Sequence, residues 1–521
     1  MRRSRMVAWF LGLLSLFSLG LTQAGQKVLV GAFDVGPGGA PGLFNPLTNT
    51  AGFTWLNKYF STLVLYDVNF QFLQGDLAKS WTVSPDGLKY TFKLRDGVTW
   101  HDGKPFTSKD VKFTLGTIRH PDVASFFSAK LEMIKGIETP DATTVVLNLS
   151  RPNAALLDAL TQVMILPEHH LASIAPKDLR TSSWWSTNPV GTGPFKWSKY
   201  VPDQYVELVA FDNYWRGRPR LDKLVNRYFK EAGSAVLALR SGDIQFTYVS
   251  LDEAKGLRND SNVRIIEGPS QVLNYIGFNN KDSRFKDVRV RQAFMYAIDR
   301  NTIVQQLFAG GADVVPCIYN NSRFIPGNGL VDYTYNPAKA RQLLAEAGWD
   351  RIKGEPIEFL YYYQDQLSAD VMVTLQQMLA QVGIEVRPRR VDVPTYNQIT
   401  STENFALVYA GAGNGPDPDA LIVNFDSGSV PPKGNNRMRI SNPEIDKLFV
   451  QGQAISSASA RAKVYQELCR ITNQTLPWAP LWVTKRFGAV SRNVVGFVWT
   501  PAPGGGRYYD AAEKWDVLPK R

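Results

Sequence analysis

Leu77-Ala78-Lys79-Ser80-Trp81-Thr82-Val83-Ser84-Pro85-Asp86-Gly87 is the stretch whose reading decides the fold. It continues through Tyr90-Thr91-Phe92-Lys93-Leu94-Arg95-Asp96-Gly97 to His101-Asp102-Gly103-Lys104-Pro105-Phe106-Thr107. Ser84–Gly87 is a turn: proline presets φ and glycine accepts a positive φ. Tyr90, Phe92 and Leu94 alternate with Thr91, Lys93 and Arg95, the period of a half-buried strand. Two Asp-Gly turns flank Val98–Trp100. Thr107 or Ser108 is placed to cap a helix carrying Val111, Phe113, Leu115 and Ile118.

Working outward, Lys27–Phe33 reads as a buried strand that enters a glycine-proline loop, and a helix is expected over Phe53–Leu63. A second β pattern covers Thr143–Leu149. Asn188-Pro189-Val190-Gly191-Thr192-Gly193-Pro194 is a tight crossover ahead of strands near Phe195–Trp197 and Tyr205–Ala210. Ala235–Leu239 reads as helix and Ile244–Val249 as strand. Apolar spacing over Val288–Leu307 predicts helix, as does Ala338–Ala347, closed by Gly348. Ile357–Tyr361, Ala369–Val382 and Glu385–Arg387 form a βαβ-like unit. A last helix, Ser459–Thr472, leads to the strand Trp478–Val483. This is α/β material with α+β elements, dividing naturally near 65, 190, 275 and 490.

The 521 residues are 44% hydrophobic and 20% charged, which excludes a disordered chain and implies several lobes. Residues 1–24 carry Arg2, Arg3 and Arg5, an apolar stretch Val7–Leu21, and Thr22-Gln23-Ala24, the layout of a secretory signal cleaved near Ala24. Losing those three arginines lowers the formal charge from +11 to +8. The remaining positive residues are dispersed, so nucleic acid is not an expected partner. The first cysteine is Cys317, so no lipoprotein cysteine follows the signal, and an untethered periplasmic protein is expected. Cys317 and Cys469 pair there or stand as two buried thiols, and the sequence leaves both open.

Catalytic and cofactor patterns fail in detail. The first glycine loop is G-x-G-x-x-x-G with Pro37 and Pro41 in it, unlike a dinucleotide loop. Gly191-Thr192-Gly193 lacks the Gly-Lys-Ser/Thr ending of a phosphate cradle. The histidines His101, His120, His169 and His170 form no HExxH array, and the adjacent pair reads as surface residues, so no metal and no cofactor are expected. Asp417-Pro418-Asp419 could serve as an acid/base pair in an exported hydrolase, but a proline-braced loop explains it more simply. What remains is a noncatalytic protein with 13 tryptophans, 21 tyrosines and 28 phenylalanines, more aromatic surface than one core demands and suited to binding.

The opening stretch resembles the signature of the extracellular solute-binding proteins of family 5, the peptide- and oligopeptide-type receptors of ABC importers. Pro189–Phe195, Asp287–Ala293 with Ala297–Arg300, Lys339–Leu344, Asn442–Asp446 and Pro477–Trp482 follow in the same order. The resemblance implies a bilobed, periplasmic-binding-protein (Venus flytrap) fold. Lobe I would comprise residues 26–64, 191–275 and 490–521, with an extra subdomain at 65–190, and lobe II residues 276–489. It implies a monomeric receptor that closes on a solute and presents it to membrane permease subunits. Tyr275, Phe53, Trp55 and Tyr409 are the aromatic candidates for ligand contact. Peptide-binding relatives place an aspartate for the ligand's ammonium where this chain has Gly413 or Asn414. Asn414 and Asp417 are therefore the polar candidates, with a di- or oligopeptide the first expectation and an oligosaccharide or other solute the second.

Overall fold

The structure is a computed structural model. It describes residues 26–33, 44–47, 53–125, 127–413, 415–431, 434–498 and 507–519, without the side chains of Phe53, Thr54, Pro269 and Gln271. The signal-like segment 1–24 lies outside the described residues. No helix among them is long and apolar enough to cross a membrane.

An eleven-stranded mixed sheet organises the chain. From edge to edge it runs Val386–Arg390, Ile357–Tyr361, Leu407–Gly413, Val263–Phe278, Trp478–Ser491, Phe246–Val249, Val28–Ala32, Lys223–Arg227, Tyr205–Ala210 and Phe195–Val201; Ala312–Val314 joins Trp478–Ser491 off that path. Parallel pairing occurs where helices intervene, as between Ile357–Tyr361 and Val386–Arg390, joined by the helix Gln366–Ala380. A separate antiparallel sheet, in the order Ala78–Val83, Lys89–Leu94, Thr144–Leu149, Ile134–Asp141, carries the helix Ser108–Arg119. Thr107 starts that helix with a full capping box, closed by Asp110.

Two sets of cores divide the molecule into lobes. Leu29, Trp55, Phe92, Phe195, Leu224 and Trp515 belong to one, and Ile276, Phe294, Phe359, Leu407 and Trp482 to the other. Next to the latter, Cys317 and Cys469 form a disulfide with Cα atoms 5.4 Å apart inside a fully buried cluster. The sequence left that pairing open because nothing local links positions 152 apart.

Two sequence expectations are corrected. The Phe53–Leu63 helix stops at Leu56, since Tyr59 and Phe60 turn into the core and the next segment pairs as strand. The stretch Val288–Leu307 is two helices, Val288–Ala297 and Arg300–Gln306. Ile298 takes an extended conformation, and Asp299 caps the second helix through Thr302 N.

The Gly191-Thr192-Gly193 turn has a packing role. A Cβ on Gly191 would come 1.7 Å from the Tyr59 carbonyl oxygen, and one on Gly193 would come 2.7 Å from that of Lys58. His101 locks this approach. Its Nδ1 accepts from Gly191 N at 3.1 Å, and its Nε2 bonds the Gly193 carbonyl at 3.0 Å. Burial depresses the imidazole pKa to about 4. Unfolded, the same group titrates near ~6.5, so the unfolded chain binds the extra proton first. The His101 contribution is therefore complete above about pH 6.5 and is lost as pH falls towards 4, by up to roughly 3 kcal/mol. His101→Gln, which keeps a donor for Gly193, should flatten the pH dependence of unfolding free energy across that window. An unchanged slope in urea denaturation would refute this.

Candidate functional site

The two lobes are joined where Val263–Phe278 and Trp478–Ser491 pass from one core to the other. Val263, Phe487 and Ala489 pack in the first lobe, and Leu273, Tyr275, Trp478 and Val483 in the second. Between them the ladder slips: Pro269 faces Lys485, and the next pair is Leu273 with Val483. Three residues of one strand thus stand against Thr484 alone, a β-bulge. Ser270 Oγ and Thr484 Oγ1 bridge it at 2.9 Å, and Val272 N donates to Ser270 Oγ.

Beside this junction, in the second lobe, lies a cavity of about 350 Å³. Its walls include Tyr275, Tyr362, Tyr396, Asn397, Asn424, Arg437 and the strand segment Ala410–Gly413. Tyr275 stacks on Trp478 with centroids 3.8 Å apart, and Tyr362 meets Tyr396 edge-on at 4.8 Å. Burial, reinforced by neighbouring phenols, raises the pKa of Tyr275 and Tyr396. Both stay neutral and offer hydroxyl groups. Arg437 donates to Asn435 Oδ1, the Asn397 carbonyl, Thr400 Oγ1 and Ser401 Oγ, and it takes part in none of the ion pairs among the described residues. Among the described residues its lining contains no aspartate or glutamate.

A strand edge opens into the same cavity. Ile357–Tyr361 accompanies Leu407–Gly413 only as far as Tyr409. Beyond it, the Tyr362 hydroxyl occupies both backbone groups of Gly411, donating to its carbonyl at 3.3 Å and accepting from its N–H at 3.1 Å. Strand alternation turns the N–H and C=O of Gly413, two residues on, towards the same side.

The lobes also touch away from the junction. Ala154 N donates to the Gln453 carbonyl at 2.8 Å, and Arg323 Nη1 to that of Gln71 at 3.2 Å. Behind this contact is a buried cluster. Arg461 grips Asp417 with both terminal nitrogens, and Asp419 accepts from Tyr465 Oη at 2.8 Å and Gln453 Nε2 at 3.0 Å. From the other lobe, Asp158 accepts from Tyr66 Oη at 2.7 Å. Burial and the nearby Asp417 charge raise its pKa to about 7.

Of the sequence candidates, Tyr275 forms part of the cavity wall. Trp55 and Tyr409 are core residues instead, 1% and 2% exposed, with Trp55 against Phe33 and Tyr409 against Tyr363. Asp417 is held by Arg461, and the oxygens of Asp417 and Asp419 accept from protein donors. Asn414 and the side chain of Phe53 lie outside the described residues. Tyr362, Tyr396 and Arg437 were missed. The run Tyr361-Tyr362-Tyr363 after an apolar strand was a readable signal for the first, whereas Arg437 had none.

The family model for bacterial extracellular solute-binding proteins, family 5, matches residues 73–431. A Brucella melitensis protein, provisionally named as an ABC transporter peptide-binding protein, is 50% identical over 494 residues, 94% of this chain and 93% of its own. The oligopeptide-binding protein AppA of Bacillus subtilis is 30% identical over 504 residues, 93% of this chain and 91% of its own. Its structure with a nonapeptide aligns with a TM-score of 0.74, covering 95% of this chain and all of that one. NikZ of Campylobacter jejuni, in complex with Ni(L-His), aligns at 25% identity with a TM-score of 0.76, covering 94% of this chain and 99% of that one.

The two glycines of the edge make a contrast. A Cβ on Gly411 would come 2.2 Å from the Tyr363 hydroxyl, which Asn274 Nδ2 holds at 2.9 Å, whereas one on Gly413 would meet open space. Gly411→Ala should destabilise the protein by about 1–3 kcal/mol in urea denaturation, and Gly413→Ala by less than about 0.5 kcal/mol. Equal effects would overturn this picture of the edge.

Proposed function

Because the chain belongs to the bacterial extracellular solute-binding proteins of family 5, we propose that it is the receptor of an ABC importer. It captures a small solute between its lobes and delivers it to the membrane permease. The export signal is cleaved near Ala24, and the receptor works untethered in the periplasm, as a monomer and without catalysis. Residues 26–64, 191–275 and 490–521 act with the subdomain 65–190 as one jaw, and residues 276–489 as the other.

A di- or oligopeptide is the leading ligand. The observation that carries this reading is the strand edge at Gly413, past the last pair of the Ile357–Tyr361 ladder and lining a polar, tyrosine-rich cavity beside the junction. Backbone pairing with such an edge gives affinity without demanding one side-chain sequence. The named relatives that bind peptides support the same class. A second reading, an acidic or hydroxylated solute such as a sugar derivative, is favoured by Arg437 and by a lining without carboxylates. Among the described residues that lining offers no carboxylate to neutralise a peptide's ammonium, while hydroxyls and a guanidinium suit anionic and neutral oxygen-rich groups.

Closure follows from differential contact: only a ligand touching both jaws shifts the lobes together. The test is mass spectrometry of copurified solute, followed by thermal shift of the stripped protein with short peptides, oligosaccharides and acidic sugar derivatives. A stabilising peptide class supports the first reading and a stabilising sugar class the second. No shift by any class would count against the receptor itself.

The Asp158 contact gives closure a pH dependence. In this structure its carboxyl, with a pKa of about 7, faces Tyr66, Asp417, Arg461 and Lys130, and we assign this contact between the lobes to the ligand-closed form. Once the lobes part and water reaches it, it titrates near the usual ~3.9. Closing therefore binds a proton at intermediate pH, so closure weakens as pH rises from about 4 to 7 and is level above that. Ligand affinity should be roughly tenfold tighter at pH 5.5 than at pH 7.5. Asp158→Asn should remove most of that difference in calorimetric titrations; retention of the full difference would refute the assignment.

A further inference from the structure

Away from the cleft, three side chains converge on the surface beside the four-stranded sheet. Asp102 projects from the turn after Trp100, and His169 and His170 are neighbours in the one-turn helix Glu168–Leu171. Neighbouring positions on a helix point about 100° apart, yet both imidazoles bring Nε2 to the same oxygen, Asp102 Oδ2, at 2.8 and 3.0 Å. The rings lie 4.5 Å apart, with Trp100 standing 6.0 Å from His169 and Trp184 6.1 Å from His170. The two tryptophans flank the imidazole pair, one beside each ring.

We propose that Asp102, His169 and His170 form a binding site for a divalent transition-metal ion, best represented by zinc, which ties the 101–103 turn to the Glu168–Leu171 helix. The three ligand atoms lie within 4.8 Å of one another. Tetrahedral zinc with bonds of about 2.0–2.1 Å separates its ligand atoms by roughly 3.3 Å. The two Nε2–Oδ2 separations therefore need to widen by only a few tenths of an ångström. Two imidazoles and one carboxylate favour zinc, nickel, cobalt or copper over magnesium and calcium, which take oxygen ligands. The side chains are 21–32% exposed, enough to admit the ion and leave a coordination position for water. On binding, each Nε2 gives up its proton; a neutral imidazole carries one on Nδ1 instead, and a charged one releases one to solvent.

Rival ligands are scarce. The chain has four histidines; His101 uses both ring nitrogens on Gly191 and Gly193, and His120 Nδ1 accepts from Asp122 N. Both cysteines are in the disulfide. Among the described residues no second group of three such side chains lies within ligand reach.

The tag-free full chain, stripped with a chelator and exchanged into chelator-free buffer, is titrated with zinc chloride by calorimetry and with cobalt chloride by visible absorption. One site per chain is expected, with His169→Ala and His170→Ala each weakening zinc binding at least tenfold and His120→Ala leaving it unchanged. A stoichiometric site that survives the double substitution overturns the proposal. So does the absence of any one-to-one binding, which would leave the cluster a hydrogen-bonded staple. Should the alanine variants unfold, the wild-type cobalt spectrum decides: the d–d bands of low-coordinate nitrogen and oxygen ligation support the site, and an aqueous spectrum excludes it.

Discussion

Everything in this molecule depends on how one sheet serves two cores. Strands Val263–Phe278 and Trp478–Ser491 must each be buried in the first lobe, cross a gap, and be buried again in the second. A ladder in perfect register across the gap would make the two lobes one stiff slab. The bulge at Ser270–Val272 interrupts that register between the two cores. Its polar groups are answered locally by Ser270 and Thr484, so the fault leaves those groups satisfied. The cavity beside Tyr275 lies next to this break in the ladder.

The jaws themselves are held rigid by buried ion pairs as well as by apolar packing. In the first lobe, Asp76 has no solvent exposure and is held by Arg507 and Arg216, while Lys58 pairs with Asp510. Both clusters fasten the segment 507–519 onto elements far earlier in the chain. Buried pairs of this kind are weak sources of net stability but costly to break, because a lone partner remains desolvated. They fix which segments meet more than they add to the depth of the fold. The Arg461–Asp417 pair does the same for the segment 415–419.

How much of this could be read from the chain varies with the range of the interaction responsible. The Ser84–Gly87 turn, the Thr107 cap, the Gly348 stop and the βαβ unit at 357–390 are local devices, and each stands where its residues place it. Membership of the family was legible because the longest motif consists of such devices. The split at Ile298 was missed because the apolar spacing continues across it, and only the Asp299 cap betrays it. The site was less legible. Tyr275 lies on a crossover strand whose position the motif order implied, whereas Trp55 and Tyr409 were chosen for residue type, which cannot separate a core aromatic from a lining one. Arg437 enters the cavity through contacts with Asn397 and Ser401, 40 and 36 residues away, and no local pattern announces it.

The same reasoning narrows what the cavity can recognise. The backbone groups of Gly413 supply direction and pairing, and phenols kept neutral by burial supply hydrogen bonds that tolerate varied partners. The one fixed charge is Arg437, which lacks a carboxylate partner among the described residues. A ligand gains most here by setting an anionic or oxygen-rich group near the guanidinium while running alongside the strand. Its positively charged end, where it has one, must find its counter-charge outside this cavity, because the nearby carboxylates Asp417 and Asp419 are already held by Arg461, Tyr465 and Gln453. On the proposed reading, recognition is built from backbone and hydroxyl groups first and from charge second, an arrangement that favours a class of ligands over a single compound.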